Sequence, residues 1–222
     1  MKNDIVLIDA PAGKLEVEFI LQDGERTQAD SLALICHPNP AGGTMNNKVV
    51  STMFRYCRDA GMDVARFNFR GVGNSTGVSE YGDGEFIDAR TVLAWLTTQT
   101  QARQLWLGGF SFGGFVACRV ADWLNAAKNA SNDGGMQGLT LQHLALVAPS
   151  VERNDTSTLD ITSPNTFMIY GDQDELVRPS VMADFAKARQ IATTVMPDVG
   201  HFFHGKLTEL KQALMAHTEK PL

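Results

Sequence analysis

An α/β fold, with a mostly parallel central sheet and helices on both of its faces, is what this sequence predicts, and three observations predict it. Short apolar runs alternate with helical patterns from Leu32 onward, and strand–helix units in series build parallel sheets covered on both sides. Gly109-Phe110-Ser111-Phe112-Gly113 stands between one such run and one such pattern, so a serine sits where strand becomes helix. The 222 residues, 44% hydrophobic and 20% charged, suffice for one well-buried unit and are short for two. Residues 1–222 are therefore expected to form a single domain.

Taken in order, Gly13 to Asp23 alternates apolar and polar residues through Leu15, Val17, Phe19 and Leu21. This predicts an antiparallel edge strand with one wet face. Leu32-Ala33-Leu34-Ile35-Cys36 is a buried strand, and Val50, Met53, Phe54 and Cys57 mark a helical face closed by Gly61. Val64 to Asn68 is the next strand; after a Gly-rich loop, Phe86, Ala89, Leu93 and Leu96 mark a second helix. Leu105-Trp106-Leu107-Gly108 leads as a strand into the serine, and Val116, Val120, Trp123, Leu124 and Ala127 follow at helical spacing. Asn129 to Gly135 is polar and small-residued, a surface loop after which the same grammar resumes at Leu144 to Ala148. Thr166 to Tyr170 and Thr193 to Met196 are two further strands, and Phe203, Leu207, Leu210 and Leu214 form the face of a last helix.

A side chain on a strand-to-helix turn is exposed on a strained backbone, and glycines two before and two after it relieve crowding. A serine so placed is a weak nucleophile until a base takes its proton and an acid orients the base. Such acids and bases follow the serine in the order acid, then histidine. Gly171-Asp172-Gln173-Asp174-Glu175 ends one strand and Pro197-Asp198-Val199-Gly200-His201 ends the next, so both reach the same edge of a parallel sheet, where ligands bind. Asp174 is preferred as the acid because it lies further into its loop. Asp172 suits a hydrogen bond to its own loop backbone, and Asp198 is near His201 in sequence without being aimed at it. His201 follows the Gly200 turn directly and is preferred as the base over His204, which falls at the start of the helix.

Acyl transfer also needs two preorganised N–H groups for the developing oxyanion. One is expected from Phe112, after the serine. The other is expected from His37-Pro38-Asn39-Pro40-Ala41-Gly42-Gly43, where the prolines have no N–H and Asn39 between them does. His37 should hydrogen-bond within that loop. Asn68 to Gly77 carries glycines one position off a dinucleotide fingerprint; it reads as a tight rim loop anchored by Arg70, with contact to a substrate carboxylate as the alternative role for that arginine.

A net charge of −6 and the absence of lysine or arginine runs argue against nucleic acid as a partner. The start, Met1 to Ile5, lacks the apolar core of a secretory signal, and no segment has membrane-spanning length. A cytoplasmic protein without membrane attachment is the expectation. Cys36, Cys57 and Cys118 each lie in apolar runs and read as buried thiols. His37, His143, His201, His204 and His217 make no metal-ligand pattern, so neither metal nor cofactor is expected.

Four segments together resemble the α/β-hydrolase superfamily over nearly the whole chain: His37-Pro38-Asn39-Pro40 with Gly42-Gly43-Thr44-Met45, Asn68 to Gly73, Gly109 to Gly114, and Gly200-His201-Phe202-Phe203-His204-Gly205. More narrowly the chain is similar to small, lidless, dienelactone-hydrolase-like bacterial members. The resemblance implies triad roles for Ser111, Asp174 and His201 and esterase-like activity on a small acyl ester. Ser150 to Pro164, where many such enzymes carry a helical lid, is too short here for a substantial one. Dienelactone hydrolases use a cysteine where this chain has Ser111, so lactone specificity does not carry over. A serine hydrolase of carboxylic esters or thioesters is the first reading. An amidase or peptidase, and an inactive interaction protein on the same scaffold, are the alternatives.

Overall fold

The computed structural model describes residues 2–22, 30–129, 136 and 138–219. Its centre is an eight-stranded sheet. Strand β1 (Lys2–Ala10) turns through Pro11 and Ala12 into β2 (Gly13–Leu21), and the two pair antiparallel from Lys2↔Leu21 to Ala10↔Gly13. Then follow β3 (Ser31–Cys36), α1 (Lys48–Asp59), β4 (Asp63–Phe67), α2 (Asp83–Gln99), β5 (Gln104–Phe110) and α3 (Phe112–Asn129). The chain continues with β6 (Thr140–Val147), β7 (Asn165–Gly171), α4 (Pro179–Ala188), β8 (Ala192–Met196) and α5 (Leu207–Thr218). The spatial order is β1-β2-β4-β3-β5-β6-β7-β8, and β3 to β8 run parallel.

One expectation changes, and two elements are additional to those the sequence predicts. The strand beginning at Gly13 is antiparallel, as its alternation implies, but it is not an edge: it lies between β1 and β4. The edge is β1, which the sequence reading did not identify. Ile5 and Leu7 are exposed on it while Ile8 is buried, so its wet face carries large apolar side chains and its Ile5-Val6-Leu7-Ile8 run hides the alternation. Helix α4 is the second omission. It buries only Met182 and Ala186, too few to set a visible period. The predicted end of the first strand at Asp23, and the loop from Ala130 to Gly135, lie outside the described residues.

Strand period explains how the helices are divided between faces. Trp106 is buried against the α1/α5 side, where its indole N–H donates to Thr218 Oγ1 at 3.1 Å and its ring lies 6.3 Å from that of Tyr56. Gly108, two residues on, points the same way: a Cβ there would strike Trp106 and Met53 of α1. Gly109 points oppositely, where a Cβ would overlap the Gly113 carbonyl of α3. Successive residues of a strand face opposite sides, so α1 and α3 cover opposite faces. Helix α5 packs on α1, and α2 packs on α3.

All strands that precede site loops end at the same edge of the sheet. Between β6 and β7, residues 148–164 form turns and bends without a helix or strand, so this segment supplies no helical lid. Cys36, Cys57 and Cys118 are free and buried, and burial pushes the Cys118 thiol up to about 12, which keeps it protonated and unreactive.

Candidate active site

Ser111 stands at the junction of β5 and α3 with φ of 55°. That left-handed conformation costs a non-glycine residue about 1–3 kcal/mol, and neighbouring hydrogen bonds hold it there. The Ser111 N–H donates to Val147 O at 2.9 Å, while its carbonyl accepts from Gly114 N at 2.9 Å and Ser150 N at 3.0 Å. The flanking glycines are needed for close approach. A Cβ on Gly109 would overlap the Gly113 carbonyl, and one on Gly113 would overlap the Cys36 carbonyl. The elbow is thus pressed between β3, β6 and its own helix, with the hydroxyl turned outward.

The loops after β7 and β8 bring two partners to it. His201 Nε2 lies 2.9 Å from Ser111 Oγ, and His201 Nδ1 lies 2.7 Å from Asp174 Oδ2. A carboxylate can only accept, so Nδ1 carries the proton and Nε2 is left as the acceptor facing the serine. Asp174 is itself fixed: its Oδ1 accepts from Leu176 N at 2.9 Å and Val177 N at 2.8 Å. The imidazole is buried, with the Phe110 ring 5.0 Å away and the Phe202 ring edge-on at 5.2 Å.

The rival residues are placed elsewhere. Asp172 is exposed, and its carboxylate accepts from Asp198 N at 2.8 Å. That bond joins the β7 and β8 loops, whereas the sequence suggested a bond within its own loop. Asp198 is exposed, with φ of 57°. His204 is exposed in the turn before α5 rather than at the helix start, because Phe203, with φ of 53°, is buried in that turn and α5 begins only at Leu207.

Asn39, Ser111 and Phe112 line one cavity of about 260 Å³. Among the described residues, neither the Asn39 N–H nor the Phe112 N–H has an intramolecular acceptor. Asn39 is pinned by its other groups: its side chain accepts from Ala41 N at 2.9 Å and its carbonyl from Gly43 N at 2.7 Å. Phe112 opens helix α3, whose N-terminal dipole favours negative charge.

His37 reaches further than its own loop. Its Nδ1–H donates to Pro38 O at 2.6 Å, and its Nε2 accepts from Phe69 N at 3.0 Å. The ring thereby ties the Asn39 loop to the loop after β4. Burial lowers its pKa to about 4. The unfolded chain takes up this proton near pH 6.5, the folded chain only near 4. The stabilisation is therefore complete above about 6.5 and lost as pH falls towards 4, an effect of about 3 kcal/mol. Wild type and His37→Gln, unfolded with urea at a series of pH values, should differ most near neutrality and converge near pH 4. A gap that does not vary with pH would refute this role for the ring.

Three contributors escaped the sequence reading. Glu175 Oε2 accepts from the His201 N–H at 3.0 Å, so the turn that supplies Asp174 also anchors the histidine backbone. Ser150 N holds the elbow carbonyl. Asp88 answers for Arg70: its carboxylate takes the Arg70 N–H at 2.8 Å and Nη2 at 2.9 Å, and Glu80 also pairs with the guanidinium. Arg70 is buried and committed to that loop, not to the cavity. Among the described residues no group of histidine, cysteine or carboxylate side chains could hold a metal ion, and no helix is long and apolar enough to cross a membrane.

A family model for the α/β-hydrolase fold matches residues 34–123, from β3 through the elbow into α3. A Xanthomonas campestris structure described as an α/β serine hydrolase without a lid is 35% identical, with 99% of this chain and 95% of that one covered and a TM-score of 0.87. An α/β serine hydrolase homologue from Coxiella burnetii is 35% identical with 98% of both chains covered and a TM-score of 0.84. A Rickettsia prowazekii protein is 28% identical over 94% of this chain and 86% of its own length. With sheet order, elbow and full-length similarity in agreement, the chain is a hydrolase that belongs to the α/β-hydrolase superfamily, among its members that carry no lid.

Proposed function

We propose that this protein is a serine hydrolase that cleaves carboxylic esters or thioesters through an acyl-enzyme. The observation that carries the reading is the unbroken row of hydrogen bonds from Ser111 Oγ through His201 to Asp174. Ser111 Oγ attacks the acyl carbon as His201 Nε2 takes its proton. Asp174 holds the imidazole in the required tautomer and stabilises the imidazolium. The N–H groups of Asn39 and Phe112 receive the oxyanion, whose stabilisation by such donors is worth about 3–4 kcal/mol each in comparable sites. His201 then protonates the departing alcohol or thiol. Water, deprotonated by the same nitrogen, attacks the acyl-enzyme; the bond to Ser111 Oγ breaks, His201 returns the proton to that oxygen, and the acid is released. No cofactor or metal takes part in this scheme.

Only an activated serine reacts rapidly with a fluorophosphonate. Incubation with such a probe should add one phosphonyl group per chain, located on Ser111 by peptide mass spectrometry. Folded protein that takes up no label would retire the reading.

A further inference from the structure

We infer that the substrate carries a carboxylate close to its ester group and that Arg153 selects it. This rests on the reading of Ser111 as nucleophile and extends it to substrate class. Arg153 lines the same small cavity as Ser111, and it is the one ionised side chain among the residues described there; Tyr81, Phe112, Leu176 and Val177 supply much of the remainder. A cation lining a cavity of about 260 Å³ without a close hydrogen-bonded partner discriminates by charge, because an anionic ligand gives it a partner that a neutral one does not.

The protein does not pair it. Among the described residues no hydrogen bond or ion pair engages the Arg153 guanidinium. The adjacent Glu152 carboxylate feels the Arg153 charge without a hydrogen bond to it, and its hydrogen bonds go to Arg178: it accepts from Arg178 Nε at 2.6 Å and from Arg178 N at 2.9 Å. Arg153 is the cation lining this cavity on a chain whose net charge is −6. Overall charge would repel an anion, so the local cation is what would admit one.

The segment bearing Arg153 is also in register with the chemistry. Ser150 N donates to the Ser111 carbonyl at 3.0 Å, and Asn154 Nδ2 donates to Ser150 O at 3.0 Å and Ser150 Oγ at 3.1 Å. Arg153 thus lies on a turn fastened to the elbow through Ser150 and closed on Ser150 by Asn154. Its side chain is exposed enough to swing onto a ligand, and a guanidinium meets a carboxylate with two parallel bonds.

Monomethyl glutarate and methyl hexanoate are near-isosteric methyl esters that differ in the charge at the chain end, and methanol release reads both. Wild type is expected to favour the anionic ester, and Arg153→Gln should lower the anionic-to-neutral ratio of kcat/KM by about tenfold, the scale of one partly screened charge-assisted bond. The change should fall mainly on KM, with partial recovery in Arg153→Lys. Binding is read separately by titrating monomethyl glutarate into Ser111→Ala protein, where added Arg153→Gln should weaken the affinity by a similar factor. A wild type that prefers the neutral ester, a ratio that Arg153→Gln leaves unchanged, or the absence of Arg153-dependent binding to Ser111→Ala overturns the inference. Loss of fluorophosphonate labelling in folded protein would instead retire the nucleophile, so the two failures are told apart.

Discussion

Replacing Ser111 by alanine is expected to lower kcat on a short p-nitrophenyl ester by about a thousandfold or more while the protein stays folded. The side chain reaches one partner, His201 Nε2 at 2.9 Å, and the backbone bonds that hold the elbow belong to Ser111 N and O. Alanine keeps those bonds and occupies the φ of 55° at a cost similar to that of serine. The urea midpoint should therefore move little. Some rate above that in water should survive, because in the proposed mechanism the Asn39 and Phe112 N–H groups would still meet the carbonyl oxygen. Hydrolysis at the wild-type level would show that the acyl group never passes through Ser111, and the mechanism would be wrong from its first step.

What could be read in advance followed from how each residue earns its place. Strands β3 to β7 are buried on both faces, so runs such as Leu32 to Cys36 and Leu144 to Val147 announce themselves as apolar stretches between turn residues. The elbow was legible because backbone overlap excludes any side chain at Gly109 and Gly113, leaving a mark in the sequence itself. Asp174 and His201 were legible through topology, since parallel strands deliver their following loops to one edge. Interactions set by distant partners left no such mark. Nothing near Arg70 points to Asp88, eighteen positions on, and Glu175 reads as one more acid in an acidic turn until its bond to His201 N is seen. Strand β1 and helix α4 were missed for a related reason: each borrows stability from neighbours and buries too few residues to set a period of its own.

Asp174→Asn is the second substitution with a large expected effect, a fall in kcat of about a thousandfold to ten-thousandfold with the fold retained, and its logic is one of proton placement. The carboxylate accepts three hydrogen bonds, from His201 Nδ1 at 2.7 Å and from the N–H groups of Leu176 and Val177. In the asparagine variant the carbonyl oxygen can keep the two backbone bonds, which turns the amide NH2 towards His201. Nδ1 must then accept, the proton moves to Nε2, and the nitrogen facing Ser111 Oγ can no longer remove its proton. Asp174→Ala separates orientation from support. It leaves Leu176 N, Val177 N and His201 Nδ1 without their acceptor, the last two of these bonds being buried, at a cost of about 1–3 kcal/mol per buried unsatisfied group, so it should lose stability as well as rate. Activity together with urea midpoint distinguishes the pair: the asparagine variant should be slow and stable, the alanine variant slow and weakened. An Asp174→Asn protein within tenfold of wild type would mean that the carboxylate does not set the imidazole tautomer, and the row of hydrogen bonds would be structural rather than catalytic.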